Sequence, residues 1–217
     1  MAEQRIAVVI PALNEEDTIK GVLEGSARHA DEIILVDDGS TDRTPEIARS
    51  MGATVITHPE SEGYDKSIDD GFKLAAQNGA TIIFTLDADG QHNTDDIPGL
   101  LKPILDGEAD VVVGRRPRHV RIAEFIFAYM AKRKAGIDDP LCGLKAYRAD
   151  VYKDIGYFDK VSSIGTQLMF NAKHKGYRIA QKDIRLNVRE DAPRFGRALA
   201  ANYKIARAMI KMLYLLG

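Results

Sequence analysis

The chain of 217 residues supports one domain and little more. A formal net charge of −2 gives no overall electrostatic footprint for nucleic acid, and the single cysteine, Cys142, excludes an intramolecular disulfide. No apolar run approaches the roughly 20 residues of a membrane span, and the start MAEQRIAVV has no charged-then-apolar leader, so a cytoplasmic protein is expected, meeting a membrane only at its cytoplasmic face or through a membrane-protein partner.

Ile6–Ile10 (IAVVI) is all apolar, the pattern of a parallel strand covered on both faces. Asn14 is placed to cap the next helix, and Glu15, Glu16 and Asp17 suit its positive end. Ile33–Val36 reads as the second strand. Thr44-Pro45 reads as a helix start, a capping hydroxyl and then proline at the first helical position, with the helix ending near Gly52. Thr54–Thr57 reads as the third strand, and a helix runs from about Ser67 to Asn78. Thr81–Leu86 (TIIFTL) is the fourth strand and Val111–Val113 the fifth. Val120–Ala135 reads as a helix, apolar at Ile122, Phe125, Ile126 and Tyr129 and basic at Lys132, Arg133 and Lys134. Leu144–Tyr147 reads as a strand, Thr166–Lys175 as a helix, Tyr177–Ala180 and Ile184–Val188 as strands, and Arg197–Leu216 as a helix. There is no internal repeat, low-complexity segment or domain linker. This alternation predicts one α/β domain, a doubly wound and mostly parallel sheet with helices on both faces.

Three loops follow the first, second and fourth strands: Pro11–Glu16 (PALNEE), Asp37–Asp42 (DDGSTD) and Asp87–His92 (DADGQH). In a parallel sheet they share one edge and line one cleft. Asp87 and Asp89 stand two residues apart there, and Gly90 forces a turn. Two such acids repel unless a cation joins them, and Mg²⁺ or Mn²⁺ takes hard oxygen ligands. Acids are poorly suited to a bare anion. They suit a nucleotide whose base and ribose are read by carboxylates and whose diphosphate is met through a metal. His92 reads as a surface histidine, Lys66 as a surface lysine, and Cys142 as structural.

With these loops the chain resembles glycosyltransferase family 2, which has the GT-A fold, and within it the dolichol-phosphate mannose synthases and related polyprenyl-phosphate hexosyltransferases. The resemblance rests on VVIPALNEE, on ILVDDGSTD, and on Asp87-Ala88-Asp89-Gly90-Gln91 as an Asp-x-Asp metal motif. Gly114-Arg115-Arg116 stands for a Gly-x-Arg after the next strand, and Asp139-Pro140-Leu141-Cys142-Gly143-Leu144 for an Asp-x-x-Ser-Gly-Phe acceptor loop, with Cys142 in place of serine. It implies one catalytic domain over 1–217, with a nucleotide-sugar half of about 1–117 and an acceptor half of about 118–217. Pro11, Leu13 and Glu15 would contact the nucleotide, and Val36 and Asp38 its base and ribose. Asp87 and Ala88 would lie against the nucleotide–metal region. Asp89 and Gln91, with Asp87, would ligate the cation. Arg116 would reach a phosphate. The family's closing Arg, Gly, Ser-Lys is here Arg194-Phe195-Gly196-Arg197 without the lysine; Arg194, or Arg189 upstream, would supply the closing charge.

The implied reaction is inverting hexosyl transfer from a nucleotide diphosphate sugar such as GDP-mannose or a UDP-hexose, with Mg²⁺ or Mn²⁺ as cofactor. A hydroxyl acceptor needs a base, for which Asp139 is the candidate. A phosphate monoester is already ionised at pH 7 and needs guanidinium groups, available in Arg115, Arg116, Arg189 and Arg194. A polyprenyl phosphate acceptor is therefore expected, with a soluble or glycan hydroxyl as the alternative. A sugar nucleotidyltransferase would carry a Gly-rich loop with Arg and Lys where PALNEE stands. A decayed binding module would have lost the Asp-x-Asp pair.

Overall fold

The computed structural model describes residues 4–117, 122–187 and 205–211. Strand β1 (Ile6–Ala12) leads through helix α1 (Ile19–Ser26) to β2 (Glu32–Asp37), and through α2 (Thr44–Ser50) to β3 (Thr54–Thr57). Helix α3 (Tyr64–Gln77) returns the chain to β4 (Ile82–Thr85), and a 3-10 turn at Thr94–Asp96 opens α4 (Ile97–Leu105) before β5 (Val111–Arg115). Then follow α5 (Ile122–Ala135), β6 (Lys145–Arg148), α6 (Ala149–Ile155), α7 (Gln167–His174) and β7 (Ile179–Asp183), and residues 205–211 are helical.

The strands form one sheet in the order β3-β2-β1-β4-β6-β5-β7. All neighbours pair in parallel except at β6, which runs antiparallel to both β4 and β5. The strand period of two splits the apolar residues between two cores. Ala7, Val9, Ile34, Val36, Val111 and Val113 face α3, α5, α6 and α7. Val8, Ile10, Leu35, Phe84 and Val112 face α1, α2 and α4. Burial on both faces explains why these strands read as unbroken apolar runs.

Four local expectations change. Asn14 does not cap α1, whose N-cap is Thr18; it takes a left-handed φ of 52°, and its side chain serves the next loop instead. Thr44 lies inside α2, and the Asp42 carboxylate takes its N–H at 2.9 Å. Helix α4, unassigned from sequence, carries the helical spacing Ile97, Leu100, Leu101, Ile104 on its buried face; Pro98 sits harmlessly in the first turn, but Pro103 lies inside the helix and disguises it. One strand, β7, replaces the two expected after α7, and beyond it, among the described residues, Leu186 makes an isolated bridge to His92. The expected helix over Arg197–Leu216 falls within the described residues only at 205–211.

Candidate active site

The C-terminal ends of β1, β2 and β4 lie side by side, so their loops meet. The Asn14 side-chain oxygen accepts the Thr41 N–H at 2.8 Å, and the Ser40 hydroxyl accepts the Asn14 N–H at 2.9 Å. The Glu15 N–H donates to the Thr44 hydroxyl at 2.7 Å. The Thr18 hydroxyl lies 2.8 Å from the Ala88 carbonyl, joining the first loop to the third. Glu15, Val36, Asp38 and Ala88 are buried at this junction, Pro11 is half-buried, and Leu13 is exposed.

Asp38 is enclosed by its own chain. It accepts from the Ser61 hydroxyl at 2.6 Å, the Glu62 N–H at 2.8 Å and the Gly63 N–H at 3.0 Å, and its Oδ1 lies 2.9 Å from His58 Nδ1. Burial favours its neutral form, but these bonds prevail and hold its carboxyl below the usual range. His58 Nε2 reaches Asp70 at 3.1 Å; burial disfavours the imidazolium, yet the two carboxylates raise its pKa. Lys66, read as a surface lysine, pairs with Asp70 as well. Asp38 therefore knits the DDGSTD loop to the start of α3. Its neighbour Asp37 has Oδ1 on the Ser40 N–H at 3.0 Å, while Oδ2 is buried with no hydrogen-bond partner among the described residues.

Asp87 is held from several sides. The Tyr64 hydroxyl lies 3.3 Å from Oδ1 and His92 Nε2 lies 3.2 Å from Oδ2. Burial works to raise its pKa, but His92, Lys145 and Tyr64 together lower it, so Asp87 is an anion. His92 is buried rather than at the surface, because it backs Asp87 and pairs with Leu186. Gly143, in the loop before β6, lies so close that a Cβ there would fall 2.6 Å from Asp87 Oδ1 and nearer still to Oδ2 and Cγ. Lys145 is only 2% exposed. Its ammonium donates to the Gly165 carbonyl at 3.2 Å, and burial lowers its pKa.

Asp89 Oδ1 accepts the Gln91 N–H at 3.1 Å, which folds DADGQ into a tight turn. Among the described residues no group of three or more His, Cys, Asp and Glu forms a metal cage. Two carboxylates and an amide oxygen at an open strand end instead suit a hard cation such as Mg²⁺, which keeps water and phosphate oxygens in its shell.

Arg115 and Arg116 point into ion pairs. Arg115 bonds Asp183 at 2.5 and 2.9 Å and Asp138 at 3.2 Å. Arg116 grips Asp139 with Nε at 2.7 Å and Nη2 at 2.8 Å, and reaches Glu124 at 3.4 Å. Asp139 is 1% exposed, so the fork joins a buried carboxylate to a half-buried guanidinium and leaves only Nη1 of Arg116 outside it. Arg189 and Arg194 lie outside the described residues. The Cys142 thiol is buried and pushed up to about 12, by burial first and Asp139 second, which removes it as a nucleophile. On α5 the apolar stripe turns outward: Phe125, Ile126 and Tyr129 are 63%, 44% and 54% exposed, beside Lys132 and Arg133. Among the described residues no helix is long and apolar enough to cross a membrane.

His58, Tyr64, Asp37 and Lys145 were not singled out from sequence. The loop after β3 carries the signal for two of them, a histidine ending the strand and a Gly63-Tyr64 helix start; Lys145 is marked only as the one cation in the expected strand Leu144–Tyr147.

Comparison with known proteins follows the same lines. The family model described as "Glycosyl transferase family 2" matches residues 7–156. The dolichyl-phosphate hexose transferase of Haloferax volcanii is 35% identical over 192 residues, covering 82% of this chain and 81% of that one. The UDP-N-acetylglucosamine–dolichyl-phosphate N-acetylglucosaminyltransferase of Methanococcus voltae is 37% identical over 134 residues, covering 54% and 53%. Among solved structures, glucosyl-3-phosphoglycerate synthase from Mycobacterium tuberculosis in complex with Mn²⁺ and UDP-glucose superposes with a TM-score of 0.79 at 23% identity, over 99% of this chain and 79% of that one. That likeness is one of fold.

Proposed function

Because the chain belongs to glycosyltransferase family 2 and is a glycosyltransferase of GT-A fold, we propose that it moves a hexose from a nucleoside diphosphate sugar to a polyprenyl phosphate, with inversion. The catalytic domain spans 1–217, with the donor half over about 1–117 and the acceptor half over about 118–217. Pro11, Leu13, Glu15, Val36, Asp38 and Ala88 line the nucleotide, and the unpartnered Asp37 oxygen accepts from one of its N–H or O–H groups. Asp87, Asp89 and Gln91 hold Mg²⁺ or Mn²⁺, which supplies charge neutralisation to the departing diphosphate. The dolichyl-phosphate transferases at 35% and 37% identity support the lipid acceptor.

The observation that carries the choice of acceptor is the Arg116–Asp139 fork. A hydroxyl acceptor must lose a proton, and the expected base, Asp139, is buried and held by two guanidinium bonds. A carboxylate so held is a weak base. An ionised phosphate acceptor needs none; it needs donors, and Arg116 offers Nη1, with Arg115, Arg189 and Arg194 as the further cations. The outward aromatic stripe of α5 beside Lys132 and Arg133 suits contact with an anionic membrane surface. On this reading the enzyme works at the cytoplasmic face.

The test is a screen of GDP-mannose, UDP-glucose and UDP-N-acetylglucosamine against a short polyprenyl phosphate and a soluble hydroxyl acceptor, with and without Mn²⁺. Cation-dependent transfer to the prenyl phosphate is expected. Transfer to the soluble hydroxyl alone overturns the lipid assignment.

A further inference from the structure

The stretch that follows β7, residues 184–187, runs beside the loop bearing Asp87 and Asp89 and is fastened along its length. Ile184 is buried in the core that also takes Leu35 and Phe84, and its N–H donates to the Arg115 carbonyl at 3.0 Å. Arg185 grips Asp96, with its N–H 2.6 Å from Oδ2 and its Nε 2.9 Å from Oδ1. Leu186 makes the bridge to His92. Asn187 then bonds the loop twice. Its N–H donates to the Gln91 carbonyl at 2.8 Å, and its side-chain Nδ2 donates to the Gly90 carbonyl at 3.0 Å.

Those two bonds fall on the turn that carries the cation ligands. Gly90 takes a φ of 69° there, which glycine adopts without steric cost. The peptide group between Gly90 and Gln91 is held at both ends, its N–H by Asp89 Oδ1 at 3.1 Å and its carbonyl by the Asn187 side chain. The carbonyl of the next peptide group is held by the Asn187 N–H. Both peptide groups that flank the Gln91 Cα are thus fixed, and Asn187 contributes to each. What stays free is rotation within the Gln91 side chain. Ligands oriented before an ion arrives lose less freedom on binding it, and partners that orient ligands tune the affinity of the site.

Resting on the cation assignment above, we propose that Asn187 is a positioning residue for the metal: by holding the two peptide groups around Gln91, it sets the direction in which Gln91 and Asp89 meet the ion. Its action passes through the turn, from 97 residues away in sequence. Because Ile184 in the same stretch bonds Arg115, one segment aligns the cation loop with the arginines after β5.

Titration of the full chain with Mn²⁺, followed by electron paramagnetic resonance with UDP or, separately, GDP present, tests this without turnover. Asn187→Leu keeps the branched shape and the backbone bond and removes only the side-chain donor. Its affinity for Mn²⁺ falls about tenfold. Amide hydrogen exchange across residues 89–92 of the metal-free chain becomes faster. In steady-state assays the Mn²⁺ concentration giving half-maximal rate rises about tenfold, while kcat at saturating Mn²⁺ is recovered, a split that general damage to the fold does not produce. Lys173→Ala, on α7, behaves as the unaltered chain does. Unchanged Mn²⁺ affinity in Asn187→Leu, or unchanged exchange across 89–92, overturns the role given to Asn187. An unaltered chain that takes up no Mn²⁺ refutes the cation reading instead, and the exchange rates still judge whether Asn187 holds the turn.

Discussion

Gly143→Ala is the sharpest probe of how the two halves of the site are joined. The backbone of Gly143 lies outside the left-handed region, so alanine adds no torsional strain there. The whole effect is steric: the new methyl would fall 2.6 Å from Asp87 Oδ1 and closer to Oδ2 and Cγ. Contact at ordinary van der Waals separation requires the Asp87 carboxylate to move by about 1 Å, and a misplacement of that size costs on the order of a hundredfold in turnover. The same movement lengthens the bonds to Tyr64 and His92, now 3.3 and 3.2 Å. One charge-assisted hydrogen bond is worth about 1.5–3 kcal/mol, which lowers Tm by roughly 3–12 °C in a domain of this size. The assay is release of nucleoside diphosphate from the donor sugar with Mn²⁺, beside a thermal melt. A variant that melts slightly lower but turns over about a hundredfold more slowly is expected. Unchanged kcat/KM would mean that Asp87 tolerates displacement, and the role given to it would fall.

Asp89→Ala is expected to lower Mn²⁺-dependent release at least about a hundredfold, and full turnover in that variant rules out the metal assignment. Removing the guanidinium in Arg116→Ala strips the buried Asp139 of its fork at a cost of about 3–5 kcal/mol in urea unfolding; Asp139→Asn in that background recovers part of it, and strict additivity would deny the coupling. His58 has a folded pKa above its ordinary 6.5, so its bridge between Asp38 and Asp70 stabilises fully below that value and fades as pH rises through the folded one. The stability gap between the unaltered chain and His58→Gln therefore narrows from pH 6 to pH 9, and a gap that widens refutes the bridge. Asp65 is raised from 3.8 to about 6, by burial first and Asp159 second, a rise worth roughly 3 kcal/mol. Its contribution is present below pH 3.8 and lost as pH climbs to about 6, so Asp65→Asn flattens the stability profile across that window; an unaltered slope in urea unfolding contradicts it.

What was legible in the sequence is what local period encodes. The runs IAVVI and TIIFTL announce buried strands because both faces of each are covered, and the acids after them fall on one edge because parallel strands end together. Helix α4 is hard to read although Ile97, Leu100, Leu101 and Ile104 keep helical spacing, since Pro103 lacks the N–H for a bond to the carbonyl four residues back and so reads as a breaker by local rules. His92 is buried although its neighbours in sequence suggest a surface position, because it pairs with Leu186, far along the chain. Asp38 was found by motif, but its actual partners, His58, Ser61 and Gly63, come from another loop. Lys145 and Gly165 meet only once the sheet and α7 are assembled. Pairings of that kind leave no periodic trace.

Strand β6 travels against its neighbours. The stretch bearing Asp139 and Gly143 therefore arrives at the reacting edge before its strand, whereas the stretches bearing Asp38 and Asp87 leave that edge after theirs. On the proposed function, donor and acceptor machinery are thus threaded in opposite senses through one frame. Residues ahead of β6 can lengthen or change character without shifting the register that aligns the nucleotide loops, so one scaffold can exchange acceptors while its donor chemistry stays in place.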